Sequence, residues 1–121
     1  MADDVLRMTP ADGVPGLVIA GEIDESSYRR LVRGLGVLNP RGDVHIDLSG
    51  VDFCDLAGLR AIVCVTEADG GTDGSARGHL TLHAVPGRLL RILEILGWDE
   101  MPGVVFTDER LPTGHEQHAG Q

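Results

Sequence analysis

Few residues in this 121-residue chain are of types and spacings that could do chemistry. Cys54 stands directly before Asp55 at a predicted helix start, where a thiol pKa can fall and favour the nucleophilic thiolate. A thiol nucleophile also needs a base, and the sequence alone does not bring His45 or His79 to it. Cysteine is otherwise a small apolar residue, and Cys54 and Cys64 are read that way. His115 and His118 lie three apart, unlike the His-Glu-x-x-His zinc helix, in a polar tail. Asp43, Asp47, Asp52 and Asp55 are spread along a strand and a turn and make no metal cage. The Gly-rich stretch from Asp69 to Gly78 lacks the Gly-Lys-Ser/Thr ending of a phosphate loop and follows a helix. It reads as a connection. No set of nucleophile, base and orienting group can be assembled, so the sequence predicts neither an enzyme nor a cofactor or metal.

The elements that position these residues centre on Val44 to Arg60. Val44 to Leu48 is apolar and β-branched, with a turn expected at Ser49-Gly50. After Asp55 the apolar period changes to helical, at Leu56, Leu59, Ile62 and Val63. Asp55 is therefore the expected N-cap, its carboxylate accepting from the first-turn amides. Gly58 is expected to leave that turn bare, so that another molecule could approach its backbone. Asp24, Glu25, Ser26 and Ser27 place acidic and hydroxyl groups at the start of an earlier helix, where orphan amides need acceptors.

The rest of the chain alternates in the same way. Val5–Thr9 and Val14–Ile23 read as strands of a hairpin across the turn Pro10–Gly13. Tyr28, Leu31, Val32 and Leu35 recur at helical spacing, opposite Arg29, Arg30 and Arg33. The central strand and a helix running to about Ala68 follow. His79–Val85 reads as a strand. Pro86-Gly87 opens a third helix, which stops at Gly97 with Trp98 folding back on it. Val104–Phe106 is a last short strand. Helix two is the most apolar and is expected to be the most buried. The order β-β-α-β-α-β-α-β calls for a single α/β domain with a mixed, mostly parallel sheet flanked by helices. That domain is expected over residues 5–111, with flexible termini at 1–4 and 112–121.

Composition narrows the partners. Nineteen acidic residues stand against ten basic ones, all arginine, for a net charge of −9. An acidic chain without a basic stripe argues against nucleic acid and anionic membrane, and for a basic protein surface. No stretch approaches the roughly 20 apolar residues of a membrane span. Two cysteines make no disulfide framework, and Met1-Ala-Asp-Asp4 lacks a signal peptide's positive start. The expected compartment is the cytoplasm.

The element order, Val44-His-Ile-Asp-Leu-Ser-Gly-Val51 and Phe53-Cys-Asp-Leu-Ala-Gly-Leu-Arg60 together resemble the STAS domain. Gly21-Glu-Ile-Asp24 looks like that family's turn into its first helix, and Gly87–Gly97 like its third helix. The resemblance covers about Val5 to Phe106 and points to the anti-sigma factor antagonists within the family. It implies a regulatory module that docks on a kinase-like anti-sigma factor and releases a sigma factor. The docking face it implies comprises Asp24, Ser26 and Ser27 with Asp55, Leu56, Ala57, Gly58, Leu59 and Arg60. In those antagonists the second-helix turn reads Asp-Ser-Ser-Gly or Asp-Ser-Thr-Gly, and its third residue is phosphorylated. Here the turn is Asp55-Leu-Ala-Gly58, so the acceptor position holds Ala57, which has no hydroxyl. The resemblance equally allows a structural STAS subunit of a transporter ATPase or of a signalling scaffold, and leaves a homodimer open.

Overall fold

A computed structural model describes residues 6–39, 41–67 and 78–113. Strand β1 (Leu6–Pro10) pairs antiparallel with β2 (Gly16–Ile23). Their turn closes through Ala11 N–H to Gly16 O, with Gly13 at φ +85°. Helix α1 (Tyr28–Leu35), strand β3 (Asp43–Cys54), helix α2 (Leu56–Val63), strand β4 (His79–His83), helix α3 (Gly87–Leu96) and strand β5 (Val104–Thr107) follow. The sheet order is β1-β2-β3-β4-β5, parallel from β2 onward. The architecture is the mixed α/β sheet that the alternating pattern predicts.

Because β2 to β5 are laid down in one direction, right-handed crossovers put all three helices on one face. The packing agrees. Leu17, Ile19, Val44, Ile46, Leu48, Leu80 and Leu82 share one core with Leu31 and Leu35 of α1, Leu59, Ile62 and Val63 of α2, and Leu89 and Leu93 of α3. Helix α2 buries four of its eight residues, against two each for α1 and α3, as its apolar sequence predicts.

Two details differ from the sequence reading. Ser49-Gly50 is no turn: β3 runs through it, and the β2–β3 register slips by one residue there and again before Phe53. These bulges let the strand continue because the Asp47 carboxylate accepts from Ser49 N–H at 2.8 Å, holding the extra residue. Helix α2 ends at Val63 and gives way to a 3₁₀ turn, Val65–Glu67. Helix α3 stops at Gly97 as expected, in the left-handed region at φ +77°, and Trp98 packs half-buried against the core.

The other face of the sheet presents His45, Asp47, Thr81 and His83, which alternate with the core residues. Residues 107–113 cross it. Thr107 O accepts from Ala84 N–H, Glu109 O lies 2.8 Å from His83 Nδ1, Leu111 N–H donates to Asp47 Oδ2 at 2.7 Å, and Pro112 O accepts from Asp12 N–H at 2.8 Å. Leu111 and Thr113 of this strap are buried. Most of the Gly-rich stretch, His115, His118 and residues 1–5 lie outside the described residues.

Candidate functional site

The bulged end of β3 delivers Phe53, Cys54 and Asp55 to the start of α2. Asp55 has extended backbone and caps the helix: its Oδ1 accepts from Gly58 N–H at 2.9 Å, and its carbonyl accepts from Leu59 N–H at 3.0 Å. The cap expected from sequence is therefore present. Gly58 plays a different part from the one expected. A Cβ there would meet Ile23 Cγ2 at 2.3 Å and Cys54 Sγ at 3.3 Å. The bare surface is turned inward, where β2 needs it, and a second molecule could not use it. Leu59 is likewise fully buried in the core. Leu56, Ala57 and Arg60 point outward, with Leu56 55 % exposed.

The start of α1 lies alongside. Ser27 occupies the N-cap position without a side-chain cap bond. Its buried hydroxyl donates instead to Glu22 O at 3.1 Å and accepts from Asp24 N–H at 3.0 Å, locking the exit from β2. Asp24 accepts at Oδ1 from Ser26 N–H at 2.9 Å and from Ser26 Oγ–H at 2.7 Å. The Ser26 hydroxyl holds the Asp24 carboxyl below its ordinary pKa; desolvation, the next effect, opposes it, and the Ser26 and Ser27 backbone donors add to the lowering. These residues cap no helix amides; they make a tight turn that presents one carboxylate.

Two shallow clefts join the helix starts. One is lined by Asp24, Glu25, Ser26, Phe53 and Asp55, the other by Glu25, Tyr28, Arg29, Asp55 and Ala57. The site so assembled brings together Asp24, Ser26, Asp55 and Ala57 from the sequence expectation. It adds Glu25, Phe53, Tyr28 and Arg29, which that reading missed. Phe53 was legible in principle: it is one of four aromatic residues and sits at the outward phase just before a buried Cys54. The face is acidic at Asp24, Glu25 and Asp55, with exposed apolar anchors at Phe53 and Leu56. Arg88, in the first turn of α3, steadies it from below. Its Nη2 donates to the carbonyls of Val51, at 3.1 Å, and Asp52.

The arrangement offers little to catalysis. Cys54 is buried, its Sγ lies 3.4 Å from Asp55 O, and burial, with the Asp55 charge second, pushes its thiol pKa up to about 12. The helix start does not activate it, contrary to what the position alone allows. Among the described residues no cluster of three or more His, Cys, Asp or Glu could hold a metal, and no helix is long and apolar enough to cross a membrane. An apolar groove of about 360 Å³ runs between α1 and α2 from Tyr28 to Val65 and meets the acidic face at Tyr28.

Comparison with known proteins places this geometry. Residues 7–106 match the family model described as "Mlab, STAS domain". No curated protein matches the sequence. Among solved structures, the chain is similar to an anti-sigma factor antagonist from Mycobacterium paratuberculosis. The TM-score is 0.62 at 23 % identity, over 95 % of this chain and 91 % of that one, which shows a shared fold. With the family model spanning all five strands and all three helices, save the first strand residue and the last, the chain belongs to the STAS-domain family.

Proposed function

We propose that this chain is a regulatory docking module of the anti-sigma factor antagonist type. Its α1 and α2 starts bind a kinase-like anti-sigma factor in the cytoplasm and thereby free a sigma factor. The observation that carries the reading is the α2 turn. Asp55 caps the helix while Ala57 stands exposed one residue before Gly58, beside an acidic rim and two exposed apolar side chains, Phe53 and Leu56. Exposed apolar anchors inside a charged rim are what a protein interface uses for affinity and register. The negative rim selects a basic partner surface and speeds encounter with it. Similarity of fold to an antagonist supports the choice of partner class.

Ala57 sits where the resembling antagonists carry their phosphoacceptor. A methyl group takes no phosphate, so the module binds without first being dephosphorylated, and any ATP belongs to the partner. Catalysis is no part of this function. The test adds the chain to a preformed complex of a kinase-like anti-sigma factor with its sigma factor. Sigma release on size-exclusion chromatography, with the chain unmodified after ATP is added, supports the reading. An intact sigma complex at saturating chain removes it. Ala57 also favours a second reading, a structural STAS subunit of a transporter ATPase or a signalling scaffold, since such a subunit needs no switch. That reading gains if the chain co-purifies with an ATPase assembly and leaves the sigma complex intact.

A further inference from the structure

On the face of the sheet away from the helices, two histidines from neighbouring strands meet. His45 Nδ1 lies 2.9 Å from His83 Nε2, and His83 Nδ1 lies 2.8 Å from the carbonyl oxygen of Glu109. A carbonyl only accepts, so His83 carries its proton on Nδ1. Neutral His83 then offers a lone pair at Nε2, and His45 must donate to it from Nδ1. Both tautomers are thereby fixed by the backbone of the strap. The first proton to arrive is accepted at His45 Nε2 and leaves every one of these bonds in place. A second proton must go to His83 Nε2, which sets two N–H groups of two imidazolium rings against each other.

That state has no good solution inside the fold. His83 is only 7 % exposed, and a charge so placed needs a partner or water. Glu109 O satisfies one of its N–H groups; the other faces a like charge. The surrounding charges relieve it only in part: Asp43 favours the charge on His45 but is outweighed by burial and by His83. On β3, Asp43 lies beside His79 of β4, at 3.8 Å, and both carboxylate oxygens of Asp47 are already accepting backbone N–H groups. On the strap, Asp108 and Glu109 are exposed, and Arg110 is directed to Ser49 Oγ at 3.3 Å. Neither β2, from Gly16 to Ala20, nor β5 brings a charged side chain to this face. Water reaches a doubly charged pair most directly by lifting the strap, whose Glu109 carbonyl seals one side of His83.

We propose that the His45–His83 pair is a proton-counting clasp on residues 107–113, closed with no proton or one added and open with two. The clasp lies beyond the docking face and is independent of the reading given for it. Its strap extends past residue 106, where the family match ends.

The experiment is amide hydrogen exchange on the full chain from pH 7.5 to 4.5, expressed as protection factors. Leu111 and Asp12 donate the strap bonds, and Leu80 donates to Gly103 O within the core sheet. The clasp predicts that protection at Leu111 and Asp12 falls at least tenfold on acidification while Leu80 stays protected. His45→Gln keeps a donor towards His83 and can turn its carbonyl to a protonated Nε2, so it removes the acid fall. It also leaves Asp47 unchanged and so controls for that carboxylate. Protection at Leu111 that is flat in the wild type, or that falls equally in His45→Gln, overturns the proposal. Should the variant fail to fold, a ¹⁵N histidine titration of the wild type decides: two well-separated steps for the pair support the clasp, and independent steps at one midpoint refute it.

Discussion

Gly58→Ala puts one methyl group where the start of α2 meets the end of β2. That methyl would lie 2.3 Å from Ile23 Cγ2 and 3.3 Å from Asp55 Oδ1. Ile23 is fully buried and β-branched, so its rotamer cannot swing clear. Overpacking of this kind costs about 1–3 kcal/mol. Pushing the turn outward also lengthens the 2.9 Å cap bond to Gly58 N–H, and losing a cap costs ~1 kcal/mol. Against this, alanine in place of glycine inside a helix returns about 1 kcal/mol. The balance is a destabilisation of roughly 1–3 kcal/mol. Urea unfolding followed by far-ultraviolet circular dichroism measures it, with an unchanged m-value showing that the midpoint shift is a stability change. A neutral or stabilised Gly58→Ala protein would refute the inward role of this glycine and restore an open, partner-facing surface at that turn.

Asp55→Arg removes the cap, for ~1 kcal/mol, and sets a cation at a helix N-terminus, for ~0.3–1 kcal/mol more. Its affinity for a kinase-like anti-sigma factor should fall by much more than this, and unchanged affinity in the folded variant would take α2's first turn out of the interface. Cys54, with its thiol raised to about 12, should resist iodoacetamide at pH 7.5 about a thousandfold better than a free thiol until the protein unfolds. Peptide mass spectrometry checks this, and fast labelling of the native chain would contradict it. His45 is held below its ordinary pKa, by burial first and His83 second, with Asp43 opposing. The folded state therefore binds fewer protons than the unfolded state just below about pH 6.5, so stability is full above that pH and declines as pH falls to the folded pKa. Urea midpoints across that window should drop in the wild type and flatten in His45→Gln.

Much of this molecule is legible because its period changes are sharp. Val44, Ile46 and Leu48 alternate, then Leu59, Ile62 and Val63 recur helically, and Asp55 marks the junction with a side chain that does little else so well as cap. Gly97 announces the end of α3 because few other residues adopt φ +77° at low cost. Ser49-Gly50 misleads for the same reason: its residue types favour turns, and only the Asp47 carboxylate, with the β2 register, keeps the strand going. Ser26 and Ser27 mislead as caps because hydroxyls serve turns and helix starts alike. The His45–His83 contact spans 38 residues of sequence, so no local pattern reports it. Its trace is two polar residues, His45 and Asp47, alternating with the apolar Val44, Ile46 and Leu48.

The docking account stands or falls at position 57. Ala57→Glu adds a carboxylate to the exposed first turn of α2, next to Asp55 and Glu25, without touching the core. Negative charge at a helix N-terminus is tolerated by the fold, so the variant should unfold at nearly the wild-type urea concentration. On a partner surface fitted to the native methyl group, the longer side chain brings bulk and a carboxylate that must be desolvated without a partner built for it, which outweighs its attraction to basic groups. Isothermal titration calorimetry against a kinase-like anti-sigma factor is the direct measurement. The expected result is tight binding by the wild type, unaltered by prior incubation with ATP, and at least a tenfold loss for Ala57→Glu. Equal affinity for the two proteins would show that the α2 turn is not the interface and would move the structural-subunit reading ahead.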